Sequence, residues 1–219
     1  MKDLRQFVVG REFLEKDMIG IVAHSIIVSK LAYLVGKEMG IPECLCYELA
    51  VAGIMHDIGK IRLDSYVEAS PYSTIKKFRQ VQKMVGDHQL DTDEVQYVRM
   101  HSRFSYEILK EYGYSDIVLD TVLYHHENYD GTGYPEGLQG TDIPMGARIL
   151  RVCDVFAALI GKRMYRGAFD EDTAVAIMID EVKNFDMRVF LAFQRVIHET
   201  EVEEIFEMME KYKEKLAGS

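Results

Sequence analysis

Apolar side chains recur at three- and four-residue spacing along most of the chain, and no succession of alternating strand segments or turn-linked hairpins interrupts them. This pattern predicts an all-α fold. A long amphipathic stretch from Phe13 to Met39 stops at Gly40, and Pro42 is pre-set for the first turn of the next helix, which carries ELAVAGIMHDIGK. Within the first stretch, Ile19, Val22, Ile26, Ile27 and Leu31 surround His24 with apolar neighbours, so that helix is expected to be largely buried. Residues 61–90 are less regular and read as a connecting segment with one short helix at most.

Asp91 followed by Glu94 has the form of a capping box, opening a helix that contains His101 and stops at Gly113. Ser115 can cap another helix ending near Tyr124, His125 and His126. The run DGTGYPEGLQGTDIP, rich in glycine and proline, is expected to be a structured loop in which Gly131 and Gly133 supply positive φ angles and Tyr134 and Pro135 pack. Pro144 then starts the helix of ARILRVCDVFAAL. Two more packed helices are read at DTAVAIMIDEVKN and DMRVFLAFQRVI, followed by an acidic helix from Thr200 to about Leu216. No internal repeat or linker-like run is visible, so the expected organisation is one domain over 1–199 with the 200–219 helix packed on it.

Composition narrows the function classes. The sequence has 219 residues, 48% of them hydrophobic and 28% charged, which suits one soluble globular core. A formal charge of −10 disfavours sequence-independent binding to DNA or to anionic membranes, and an anionic ligand would need a locally positive pocket. Cys44, Cys46 and Cys153 lack paired spacing and predict free, mostly buried thiols in a reducing compartment. Neither a leader-like apolar run nor a membrane-length segment is present in these residues, and the expected location is cytoplasmic.

The histidines change the picture most. Of the 7 in the chain, His24, His56, His101, His125 and His126 fall in the helical segments just described. Any one alone reads as a hydrogen-bonded core or surface histidine. The pair His56-Asp57, at the end of an apolar helix, would bury a carboxylate at a cost that a cation removes. Imidazole nitrogens with carboxylate oxygens suit Zn, Fe, Mn or similar divalent ions. Five histidines and two aspartates exceed the needs of a single ion, and Asp57 can bridge through its two oxygens, so two adjacent metals are expected.

The fragments H24, H56-D57-I-G-K60, H101, H125-H126-E-N-Y-D-G-T-G-Y-P and D154 resemble the HD-GYP subgroup of the HD-domain hydrolases over roughly residues 13–195. The HHE followed by DGTGYP, in register with HDIGK, is the specific part of the match. The resemblance implies a single-domain HD-type helical bundle and a metal-dependent phosphodiesterase that opens c-di-GMP to pGpG and, after a second turnover, to GMP. It implies that His24, His56, Asp57 and Asp154 hold one metal, with His101, His125 and His126 holding the second and Asp57 shared. Fe or Mn is the expected metal, with Zn or Ni as alternatives. By the same resemblance Asp57 and Lys60 are catalytic, and Lys60, Arg163 and Arg166 contact substrate phosphate. The Gly131–Pro135 loop would be the place where a diguanylate cyclase domain makes contact.

The chain also departs from that pattern. Gly20 stands where members with a third metal carry a glutamate, so two metals are expected rather than three, with pGpG favoured as product. The segment 64–87 differs from the family's short connection, and Met164 replaces the proline of its RPYR motif. Cys153 is read as a small buried hydrophobe, His88 and His198 as surface or second-layer residues, and Arg148 and Arg151 as internal ion-pair partners. Two other functions remain open: an HD hydrolase of another nucleotide phosphoester, and a non-catalytic module that binds c-di-GMP or a cyclase. The oligomeric state is not specified. No receiver- or PAS-like pattern precedes the motifs, so regulation is expected to be absent or to come from a partner or a longer chain.

Overall fold

The computed structural model describes residues 22–60, 99–161 and 169–198. Among these residues there are helices and no strands, as the hydrophobic spacing predicts. Helix α1 covers 22–38 and α2 is Glu43–Met55. After them come α3 (His101–Glu111), α4 (Asp116–Leu123), α5 (Met145–Ile160), α6 (Glu171–Asp180) and α7 (Met187–Val196). The capping box at Asp91, Gly20 with its neighbours, the 64–87 segment, Arg163, Arg166 and the 200–219 helix lie outside the described residues.

The punctuation read from sequence marks real ends. Gly40 and Gly113 both take φ +74°, the left-handed conformation that closes α1 and α3. Ser115 accepts a hydrogen bond from the Val118 amide at 3.3 Å, and Asp170, a cap not singled out in the sequence, accepts one from Thr173 at 2.8 Å. One boundary differs from expectation. The α2 helix stops at Met55, so His56 and Asp57 sit in the turn beyond it rather than within it. His101 is the first residue of α3, Arg99 just before it is also helical, and the expected start of that helix at Asp91 lies outside the described residues. At both places the backbone keeps helical dihedrals, φ −55°, ψ −33° at His56 and φ −70°, ψ −17° at Met100, so the change is in hydrogen bonding rather than in the direction of the chain.

The core is organised around α5, whose Ile149, Leu150, Val152, Cys153, Phe156 and Ala157 are all essentially inaccessible. This helix packs on α4, α6, α7 and α2, while α4 also packs on α2 and α3. Phe156 meets Phe193 of α7 edge-on with ring centroids 4.9 Å apart. Burying each such aromatic or leucine side chain contributes roughly 1.5–3 kcal/mol, and the aromatic geometry about 0.5–1.5 kcal/mol more. Cys46 and Cys153 are buried and Cys44 is exposed. Burial pushes the Cys153 thiol up in pKa, in keeping with an inert small hydrophobe. None of the described helices is long and apolar enough to cross a membrane.

Candidate metal centre

The His-Asp turn after α2 is bolted to the start of α3. Gly59 donates its amide to Ser105 Oγ at 2.8 Å, and Ser105 Oγ donates to the His56 carbonyl at 2.7 Å. The two segments approach so closely that a Cβ on Gly59 would lie 2.2 Å from the His101 carbonyl oxygen and 2.5 Å from the Ser105 amide nitrogen. Glycine therefore stands at this position for contact rather than for a positive φ, and that contact brings His101 to His56 and Asp57.

Around Asp57 the side chains sort into groups. His101, His125 and His126 offer nitrogens that lie within 4.8 Å of one another, as do the donor atoms of His24, His56 and Asp154. A third group of the same dimensions, His56, Asp57 and His125, joins the first two. Asp57 turns one oxygen to each side, with Oδ2 3.3 Å from His56 Nε2 and Oδ1 3.3 Å from His101 Nε2. His24 Nε2 lies 3.0 Å from Asp154 Oδ1, and His56 Nε2 lies 3.7 Å from the same oxygen. Residues drawn from α1, α3, α5 and the segments that follow α2 and α4 thus meet within one small volume, and the seven predicted ligand positions are all among them.

The tautomers suit metal binding. His56 Nδ1 donates to the Gly53 carbonyl at 2.8 Å and His125 Nδ1 donates to the Val122 carbonyl at 2.6 Å. With the proton on Nδ1, His125 Nε2 presents a lone pair, and His56 Nε2 does so once a cation takes the place of the second proton that its carboxylate neighbours attract; a backbone acceptor of this kind commonly orients a ligating imidazole. His56 Nε2, His125 Nε2 and Asp57 Oδ1 are buried with no hydrogen-bond partner. Buried polar atoms without partners are costly. Here they point at one another, the arrangement a cation would satisfy.

Electrostatics separate the two sides. Burial drives His125 well below the ordinary histidine range, with the neighbouring histidines adding to the effect, and burial likewise lowers His126 to about 3. These imidazoles are held neutral, the form that coordinates. Burial alone would lower His56 too, but the carboxylates of Asp57 and Asp154 overcome it and raise the group to about 9. Both carboxyls stay below the usual range despite burial: Asp57 faces His56 and Lys60, and Asp154 faces His24 and His56. This corner attracts positive charge. Lys60, half-exposed, donates Nζ to Asp57 Oδ2 and so stands at the rim of the cluster.

A profile of the HD domain family matches residues 9–189. The chain belongs to the HD domain family. Among curated relatives of this HD domain, the cyclic di-GMP phosphodiesterase response regulator RpfG of Xanthomonas campestris pv. campestris is 34% identical over 153 residues, covering 69% of this chain and 36% of that protein. The 3′3′-cGAMP-specific phosphodiesterase 1 of Vibrio cholerae is 32% identical over 170 residues, covering 76% of this chain and 36% of that protein. The chain therefore spans 36% of the length of each of these relatives. Among solved structures, Bd1817, an HDG"Y"P protein from Bdellovibrio bacteriovorus, superposes with a TM-score of 0.59 at 18% identity, covering 82% of this chain and 53% of that one. The resemblance to the HD-GYP subgroup is borne out at this level, and the structural likeness adds the shared helical fold.

In this HD domain the GYP loop is docked on the double-histidine segment. A Cβ on Gly133 would lie 2.2 Å from the Asn128 amide nitrogen and 2.5 Å from the His126 carbonyl oxygen. Gly131 takes φ +83° as expected, whereas Gly133 does not take a positive φ; its role is close approach. Tyr134 stacks on His126 with centroids 4.7 Å apart, and Arg99 lies over the Tyr134 ring at 5.1 Å.

Glu127, which the sequence reading passed over, is buried, and its Oε1 accepts the amides of Glu136 at 2.7 Å and Gly137 at 3.0 Å. Its position directly after two histidines was the available signal. Arg148 bears out its expected ion pair, with Nη1 donating to Asp186 Oδ2 at 2.7 Å. Arg151 does not: its hydrogen bond runs from Nε to Asn128 Oδ1 at 3.0 Å, and no ion pair joins it to a carboxylate among the described residues. His198 is exposed, in keeping with its reading as a surface residue, and His88 lies outside the described residues.

Proposed function

We propose that this HD domain is a metal-dependent phosphodiesterase that opens a cyclic dinucleotide, with c-di-GMP as substrate and pGpG as first product. The observation that carries the reading is the linked pair of ligand groups with Asp57 between them, one oxygen to each side. His24, His56 and Asp154 would hold one divalent transition ion and His101, His125 and His126 the other, with Asp57 shared. When bound, two such ions supply an activated water and neutralise charge on the phosphoryl oxygens. The reaction is an in-line displacement in which a water oxygen bonds to phosphorus, the bond to the 3′ ester oxygen breaks, and that oxygen leaves with a proton.

The chain's own groups prepare this step. The carbonyls of Gly53 and Val122 fix the tautomers of His56 and His125 before substrate arrives. Lys60 is exposed enough to turn its ammonium from Asp57 toward a phosphoryl or leaving oxygen. The curated relatives named as c-di-GMP and 3′3′-cGAMP phosphodiesterases support a cyclic dinucleotide, and they make 3′3′-cGAMP the second substrate to test.

Metal analysis coupled to turnover of c-di-GMP and 3′3′-cGAMP, on manganese-loaded or anaerobically iron-loaded protein, tests the reading. Wild type is expected to yield pGpG, and Asp57→Ala is expected to lose bound metal and activity together. Removing several kcal/mol of charge stabilisation corresponds to roughly a thousandfold or greater fall in kcat/KM. Tight dinucleotide binding by metal-loaded wild type without any turnover would make the domain a binding module instead.

A further inference from the structure

Two arginines stand three residues apart on α5 in different environments. Arg148 is paired in the interior with Asp186. Arg151 is partly buried, its hydrogen bond is to a neutral amide, and among the described residues no carboxylate comes within ion-pair distance of it, although those of Asp154 and Glu181 act on it from farther off. A guanidinium does not escape this situation by losing its proton. A partly buried cation without a direct counter-charge is favourably placed to take an anion.

Its position indicates which anion. Arg151 precedes Asp154 by three residues, so both project from the same face of α5, the face that closes the cluster. Its partner Asn128 stands two residues beyond His126 and bonds Thr132 of the GYP loop, which sets Arg151 beside both the ligand groups and that loop. Asn128 fixes it from behind, accepting from Nε while its own Nδ2 donates to Thr132 Oγ1 at 3.0 Å. Among the described residues the bond uses Nε and leaves the Nη1/Nη2 edge without a hydrogen bond, and two parallel N–H donors match the oxygens of a phosphate. In a chain of net charge −10, such a fixed cation supplies local attraction that the surface does not.

We propose that Arg151 binds an anionic phosphoryl oxygen of the ligand beside the cluster, as a substrate-holding residue that α5 supplies in addition to Asp154. The phosphodiesterase reading names the ligand; the chemical class, a phosphate or phosphate ester, follows from the guanidinium and its surroundings.

The test is calorimetric titration of inorganic phosphate into manganese-loaded wild type, Arg151→Gln and Arg151→Lys, with manganese content and thermal midpoint measured on each. The expected result is a roughly tenfold or greater weakening of phosphate in the glutamine variant, partial rescue in the lysine variant, and unchanged manganese content in both. Equal affinity in wild type and Arg151→Gln overturns the proposal, as does undetectable phosphate binding by wild type. Loss of manganese in both variants makes Arg151 a structural residue and overturns it too. Phosphate binding that depends on Arg151, in a protein that leaves both cyclic dinucleotides intact, would sink the substrate reading while sustaining this one.

Discussion

On one side of Asp57 stand His24, His56 and Asp154, and on the other stand His101, His125 and His126. The first side contains a second carboxylate, and its charge together with that of Asp57 lifts His56 to about 9 against the effect of burial. The second side is imidazole alone, and burial with mutual repulsion keeps His125 and His126 neutral. His126 Nε2 and His101 Nε2 face each other at 3.1 Å, a spacing that suits a shared proton or a cation between them. A divalent ion on the first side would be held largely by charge. One on the second would be held by lone pairs, with Asp57 Oδ1 as its contact with negative charge. The imidazole side is therefore expected to prefer borderline ions such as Zn or Fe over hard ones such as Mg.

Lesions confined to one side break this comparison most sharply. Asp154→Ala and His126→Ala are each expected to lower bound metal from two ions to one per chain, by elemental analysis, and to reduce kcat/KM by at least about a hundredfold. The two should diverge in what they retain: His126→Ala keeps the carboxylate-rich side and binds manganese, while Asp154→Ala keeps the imidazole side and favours zinc. Loss of all metal in both variants would mean that neither side exists without the other, and the division drawn here would fail.

A lesion outside both sides supplies the control. Asp186 is 3% exposed, pairs with Arg148 in the interior, and accepts the Arg188 amide at the start of α7. Asp186→Asn leaves the Arg148 guanidinium without its counter-charge, and breaking a buried pair of this kind costs about 3–5 kcal/mol. Metal content should stay at the wild-type value at neutral pH. Burial alone would raise the Asp186 carboxyl, but its hydrogen bonds from Arg188 and Arg148 outweigh that and hold it below the usual carboxylate range. Its contribution is thus fully present above the unfolded-state value, near 4, and is lost as pH falls through the lower folded value. Thermal midpoints of wild type and variant are expected to differ widely at pH 7 and to draw together below pH 4. A gap that stays constant with pH would show that charge is not what Asp186 contributes.

How much of this was legible in the sequence depended on the kind of signal. Helices and their ends could be read because the apolar spacing and the residues Gly40, Gly113 and Ser115 act locally, within a turn of their own position. The five clustered histidines and Asp57 stood out by residue type, since so many potential ligands exceed what one ion takes, and the HD-GYP resemblance added Asp154. What the sequence withheld was orientation in space. Gly133 reads as a positive-φ turn residue until the loop is seen lying against the His126 carbonyl. Arg148 and Arg151 look alike in ARILRV, and their difference depends on Asp186 and Asn128, which come from separate parts of the chain. Glu127 shows its loop-holding role only when the amides of Glu136 and Gly137 fold back onto it.

The joint between the two sides offers a last and smaller test. Gly59 carries no side chain into the cluster, yet it is where the turn holding His56 and Asp57 touches the helix that begins with His101. In Gly59→Ala the new methyl would meet backbone atoms at 2.2 and 2.5 Å, so relief must come from moving α3 away rather than from turning a side chain. Overpacking of this kind costs about 1–3 kcal/mol, and the midpoint should fall by roughly 2–4 °C for each kcal/mol in a chain of this size. The movement would carry His101 away from Asp57 Oδ1 while leaving His24, His56 and Asp154 in place. Metal titration should then show one affinity weakened and the other kept, because distance enters the imidazole side through His101 alone. Equal weakening at both positions would show instead that Asp57 moves with Gly59, making the shared carboxylate, rather than the helix, the more compliant part of the joint.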